Sequence, residues 1–197
     1  MLPFVTLVDA REAGVDEAGL RRMTRLLSSR RAAPFTSRSY RYPYALVVCY
    51  SAPVGVDIER IVRHSSELAS VLCTPDEATW LATVPDPDRA LTDLWSSKEA
   101  LAKALGDARV YEPRWLPAPR TWPEGRSGPW VAGRLEAPGG HVAWLCWRAA
   151  GQPAPPAPAP SAYSAWSGGR TTPDSSGSSN TGSARSGTGS RIRGGKP

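Results

Sequence analysis

The chain is poor in cysteine, histidine, phenylalanine and lysine. Its 197 residues include three cysteines, two histidines and two phenylalanines, and only three of its 24 basic residues are lysine. Cys49, Cys73 and Cys146 have no CxxC spacing and no neighbouring histidine, which excludes a zinc knuckle and favours reduced, structural thiols. No run of 18 apolar residues occurs, so no membrane-spanning helix is expected. The opening MLPFVTLVDA has neither a basic start nor a long apolar stretch, so no secretory signal is expected and the predicted location is cytoplasmic. No DNA- or RNA-reading motif and no fixed-period repeat is visible.

What is present divides near Gly151. Residues 1–150 mix charged and apolar residues as a folded domain does, and are long enough to bury a core. Residues 151–197 are Pro/Ala-rich and then Ser/Gly/Thr-rich, a composition that buries too little apolar surface to offset chain entropy and predicts a disordered tail. The tail holds five basic residues against Asp174, so it carries +4 of the net charge of +6. The high isoelectric point therefore describes the tail more than the domain. Charge alone would let such a tail graze any polyanion; a solubilising role accounts for it more simply. Neither a specific nucleic acid nor a membrane is an expected partner.

Within the domain, residues 3–8 and 44–50 read as strands and residues 16–28 as a helix. Residues 30–43, basic and punctuated by proline, read as a loop. A second strand starts at Val54 after the turn Ser51-Ala52-Pro53. Thr74-Pro75-Asp76-Glu77 carries a capping box with proline in the first turn, and Asp86-Pro87 opens a helix that runs to Leu105, with Gly106 as its C-cap. Residues 110–111, 130–135 and 141–148 read as strands, the last two joined by Pro138-Gly139-Gly140. The mixture predicts an α+β domain.

Two stretches carry chemistry. In Val54-Gly55-Val56-Asp57-Ile58-Glu59, strand alternation puts Asp57 and Glu59 on one face and Val56 and Ile58 on the other. Two carboxylates on one face repel unless a cation lies between them; a solvated strand end would explain them as well. In Trp95-Ser96-Ser97-Lys98-Glu99-Ala100-Leu101-Ala102-Lys103, Glu99 and Lys103 stand one helical turn apart, as in any surface ion pair. Taken together, Asp57, Glu59 and Glu99 form a set of hard oxygen donors of the kind magnesium uses, while Lys98 and Lys103 can meet phosphate charge.

This pairing of VGVDIE with WSSKEALAK, about 40 residues apart with LCTPDE between them, resembles the two signature motifs of the 4'-phosphopantetheinyl transferase superfamily. The resemblance spans residues 44–150. It is closest to the surfactin-type members, whose fold has two similar halves with the site between them. Here residues 1–53 would be a shortened first half and residues 54–150 the complete, motif-bearing half. The resemblance implies transfer of phosphopantetheine from coenzyme A to a serine of an apo carrier protein of a polyketide, peptide or fatty-acid synthase, as a holo-acyl-carrier-protein synthase does. It implies Mg2+ on Asp57, Glu59 and Glu99, with Glu99 also the base for the serine. Lys98 and Lys103 would bind coenzyme A phosphates, with Lys103 catalytic.

The first half departs from the family. Where the family has a Ser-His-Ser-like motif, this chain has Ser37-Arg38-Ser39, so Arg38, or Arg41, would replace the histidine on phosphate; as readily, both could solvate a loop. Arg30 and Arg31 read as a solvated charge run, and His64 and His141 as exposed. Trp95 is expected to pack its helix on the sheet, with Trp144 and Trp147 in the core or at its edge. The short first half keeps a second possibility open: a relative with impaired catalysis that only binds a carrier protein or synthase.

Overall fold

A computed structural model describes residues 2–106 and 112–149. The predicted strand at 110–111 and the predicted tail lie outside the described residues. The architecture is α+β. β1 (Phe4–Asp9), β2 (Phe35–Arg41) and β3 (Tyr44–Tyr50) form an antiparallel sheet in the order β1-β3-β2. β4 (Val54–Arg60), β5 (Arg126–Ser127), β6 (Trp130–Leu135) and β7 (His141–Arg148) form a second sheet in the order β4-β7-β6-β5. No described helix is long and apolar enough to cross a membrane.

The two sheets bury a shared core in which Leu46, Val48 and Tyr50 meet Val54, Val56, Ile58, Ala143 and Leu145. α1 (Glu17–Arg30) covers the other face of the first sheet, burying Leu20 with Val8, Ala10 and Ala45. Its N-cap is Asp16, whose side chain accepts from Gly19 N–H at 2.7 Å. The long helix α4 (Pro87–Leu105) lies on the second sheet, with Ala100, Leu101 and Ala104 against Ala132, Trp144 and Cys146. Its ends are set as the sequence predicts. Asp86 accepts from Arg89 N–H, Pro87 takes the first turn, and Gly106 closes the helix at φ 80°.

The segment 30–43, predicted as a loop, contains β2. It pairs with β3 from Phe35↔Tyr50 to Arg41↔Tyr44. Apolar alternation is missing because both of its faces find polar partners. Arg38 donates to Ser28 Oγ (2.8 Å), and the Tyr40 hydroxyl meets Thr24 Oγ1 (2.7 Å), both on α1. Ser37, Ser39 and Arg41 face β4. Between β4 and α4 lie α2 (Ser66–Leu72), which the polar sequence did not signal, and α3 (Pro75–Leu81), whose Thr74/Glu77 capping box forms in full. The three cysteines are buried free thiols. Burial raises all three pKa values, Cys146 to about 12, so they stay protonated.

Candidate active site

Strand β4 presents Asp57 and Glu59 on the face opposite its core residues Val56 and Ile58, as alternation requires. Helix α4 approaches this strand at backbone contact, over Gly55, which brings Lys103 to Asp57. Lys103 Nζ stands 2.6 Å from Asp57 Oδ1 and also reaches Val56 O (3.3 Å) and Ser39 Oγ (3.4 Å). Ser39 Oγ donates to the same Asp57 oxygen at 2.8 Å. The serines of β2 thus serve β4 twice, since Ser37 Oγ accepts from Val56 N–H on the strand edge that β7 does not pair.

Asp57 is 2% exposed, yet its Oδ2 is buried without a hydrogen-bond partner. An anionic oxygen left in that state is costly, and it suits a cation. Glu59, two residues along, has both oxygens in a fork with Arg41 Nε and Nη2. Its own burial and the neighbouring Asp57 carboxylate nonetheless push Glu59 up to about 7, against the lowering by Arg41. Glu59 is therefore held ionised less readily than an exposed carboxylate.

A polar cavity of about 320 Å³ collects the predicted residues Asp57, Glu59, Glu99, Lys103 and Arg38 on its wall, together with Ser39, Arg41 and Arg21. Arg41 is visible in the sequence as a phosphate candidate; Arg21 is not. Arg21 arrives from α1, stacked over the Tyr40 ring at 4.8 Å, and no local motif marks it. Among the described residues, however, no three of His, Cys, Asp and Glu stand together as a ready metal cluster. The three expected acids share the cavity without forming a preassembled ligand set, and two of them hold internal cations.

Lys98 stands apart from these residues. It does not face this cavity and is fully buried, at 0% exposure. Its ammonium donates to Glu77 Oε2 (2.6 Å), Leu72 O (2.8 Å) and Pro113 O (2.8 Å). All three of its protons are spent on tying α4 to α2, α3 and the turn Pro113–Trp115. Glu77 in turn accepts from Ala118 N–H (2.7 Å) and Thr74 N–H (2.9 Å). The physical reason lies in helix phase: Lys98 is one residue before Glu99, and 100° of rotation turns it from the cavity into the helix cluster.

The histidines also differ from expectation. His64 is half-buried, with Nε2 at 2.7 Å from Thr92 Oγ1, and it lines a second cavity of about 370 Å³. His141 is half-buried and packs edge-on to Tyr44. Trp95 packs against the cluster that contains Leu72, Leu91 and Leu94 and borders both cavities. Trp144 is in the core and donates its indole N–H to Asp93 at 3.0 Å.

The model of the 4'-phosphopantetheinyl transferase superfamily matches residues 53–121, which contain both motifs. No curated protein matches the chain.

Proposed function

We propose that this protein, whose residues 53–121 match the model of the 4'-phosphopantetheinyl transferase superfamily, transfers the phosphopantetheine arm of coenzyme A to a serine of an apo carrier protein, with a divalent metal such as Mg2+. The observation that carries the proposal is the convergence of Asp57, Glu59, Glu99 and Lys103, drawn from both motifs, on one polar cavity. Two sheets in one chain, each with its own helix, support the surfactin-type reading.

Asp57 and Glu59 would hold the metal, with Glu99 as the third oxygen donor; the bare Asp57 Oδ2 and the raised pKa of Glu59 fit that use. When bound, a divalent cation draws charge from the diphosphate. The remaining work falls to side chains of this chain. The carrier serine Oγ attacks the β-phosphorus of coenzyme A, the bond to the 3',5'-ADP oxygen breaks, and Glu99 takes the serine proton directly or through water. Lys103 places an ammonium where charge grows on the departing phosphate. Arg38, on the cavity wall, would meet a coenzyme A phosphate in the role a histidine would have. Lys98 has no place in this scheme.

The test is incubation of the protein with coenzyme A, Mg2+ and apo carrier proteins of polyketide, peptide and fatty-acid type, read by intact-protein mass spectrometry. A phosphopantetheine mass gain on the carrier is expected. No gain on any carrier class at saturating metal would overturn the proposal. The composition after Gly151 supports a domain boundary there, so residues 1–150 are expected to hold the whole activity.

A further inference from the structure

The two acids that face the cavity are not held alike. Asp57 keeps one oxygen bare, and its partner Lys103 is fixed by three acceptors. Glu59 has both oxygens engaged by Arg41, so it has no face to offer a cation while that fork stands. Arg41 itself is loosely kept. Its side chain is 47% exposed, against 13% for Glu59, and its other bond runs to the carbonyl of its neighbour Tyr40 at 3.1 Å. A guanidinium in that position regains hydration when it leaves, whereas the more buried carboxylate needs a replacement cation.

Resting on the reading that this cavity binds a divalent cation, we infer that Arg41 is a built-in competitor for that cation, a fork that occupies Glu59 until metal displaces it and so sets the metal requirement. Metal-free protein keeps Glu59 paired, and cation binding is an exchange at that carboxylate. The apparent metal affinity is then the intrinsic affinity reduced by the work of breaking the fork. Arg21 supplies the comparison. It lines the same cavity and carries the same charge, but pairs with Glu17 at 2.8 Å instead of with Glu59. Its removal changes the field without freeing Glu59.

The experiment titrates Mn2+ into the full chain without coenzyme A and follows free Mn2+ by electron paramagnetic resonance. Arg41→Gln is expected to bind Mn2+ about tenfold more tightly than wild type, as loss of a charge-assisted two-point bond implies. Arg41→Lys, which keeps the charge and loses the fork, is expected to fall between, and it serves if the glutamine variant does not fold. Arg21→Gln is expected to change little. Adding Glu59→Gln to Arg41→Gln is expected to erase the gain. Equal affinity in wild type and both Arg41 variants would overturn the competitor while leaving the metal site standing. A gain as large in Arg21→Gln, or one that survives Glu59→Gln, would reduce the effect to general charge and overturn the inference. Absence of Mn2+ binding in every variant would overturn both this inference and the metal reading beneath it.

Discussion

Gly55 on β4 lies so close to Ala100 on α4 that a Cβ built on it would stand 2.0 Å from the Ala100 carbonyl oxygen and 2.5 Å from Ala104 N. Both obstacles are backbone atoms, so no side-chain rotation relieves the clash. Gly55→Ala must lift the helix from the strand, and overpacking of this kind costs about 1–3 kcal/mol or more. It also parts Lys103 from Asp57. Urea unfolding is expected to show the loss, and transfer activity to fall further than stability alone explains. A Gly55→Ala protein with wild-type midpoint and rate would refute the close approach.

The contacts of Lys98 support a role in the fold. Lys98→Met keeps its length and leaves Glu77 buried without its cation, which costs about 3–5 kcal/mol. Thermal melting is expected to record that loss. The KM for coenzyme A of the protein that remains folded is expected to be unchanged, since the ammonium donates its three protons to Glu77 and two carbonyls. A rise in KM without loss of stability would return Lys98 to the phosphates.

Glu59 gives the metal-free protein a pH signature. Its pKa rises from 4.5 in the reference state to about 7 in the fold. Below pH 4.5 both states are protonated there. Between 4.5 and 7 the unfolded chain releases the proton while the folded one keeps it, so stability falls as pH rises, by up to about 3 kcal/mol. Above 7 the contribution is level. Melting curves across this range are expected to show the decline in wild type, its absence in Glu59→Gln, and its weakening with Mg2+, which favours the ionised acid. A wild-type curve that rises with pH in step with the glutamine variant would contradict the assignment.

Much of this site was legible because its signals are local. Strand alternation alone placed Asp57 and Glu59 together, and one helical turn placed Glu99 with Lys103. Caps at Thr74 and Asp86 fixed where helices begin, because each is a side-chain bond to a backbone N–H within three residues. What stayed hidden depends on contacts distant in sequence. β2 looks like a loop because its serines and arginines are satisfied by α1 and β4. Lys98 looks like a surface cation because Glu77 and Pro113, its partners, are 21 and 15 residues away. Arg21 enters the cavity only through the packing of α1 on the first sheet.

The sharpest division between a structural and a chemical role falls on Lys103 and Glu99. Lys103 holds the buried Asp57 at 2.6 Å, so a purely structural account predicts a marked loss of stability from Lys103→Ala, which leaves that carboxylate without its cation, and no specific loss of rate. If the ammonium meets the departing phosphate, kcat is instead expected to fall about a hundredfold or more, as removal of one preorganised charge does. Glu99→Gln keeps the shape, and removes one metal charge and the proton acceptor together. Raising Mg2+ is expected to restore only the first of these, so the variant stays impaired at saturating metal. Raising pH is expected to recover part of the rate, because hydroxide can then take the serine proton. Initial rates of holo-carrier formation, measured for each variant across Mg2+ concentration and pH, separate the roles. Wild-type rates in Lys103→Ala would end the phosphate contact, and full rescue of Glu99→Gln by Mg2+ would leave Glu99 a metal ligand and no base.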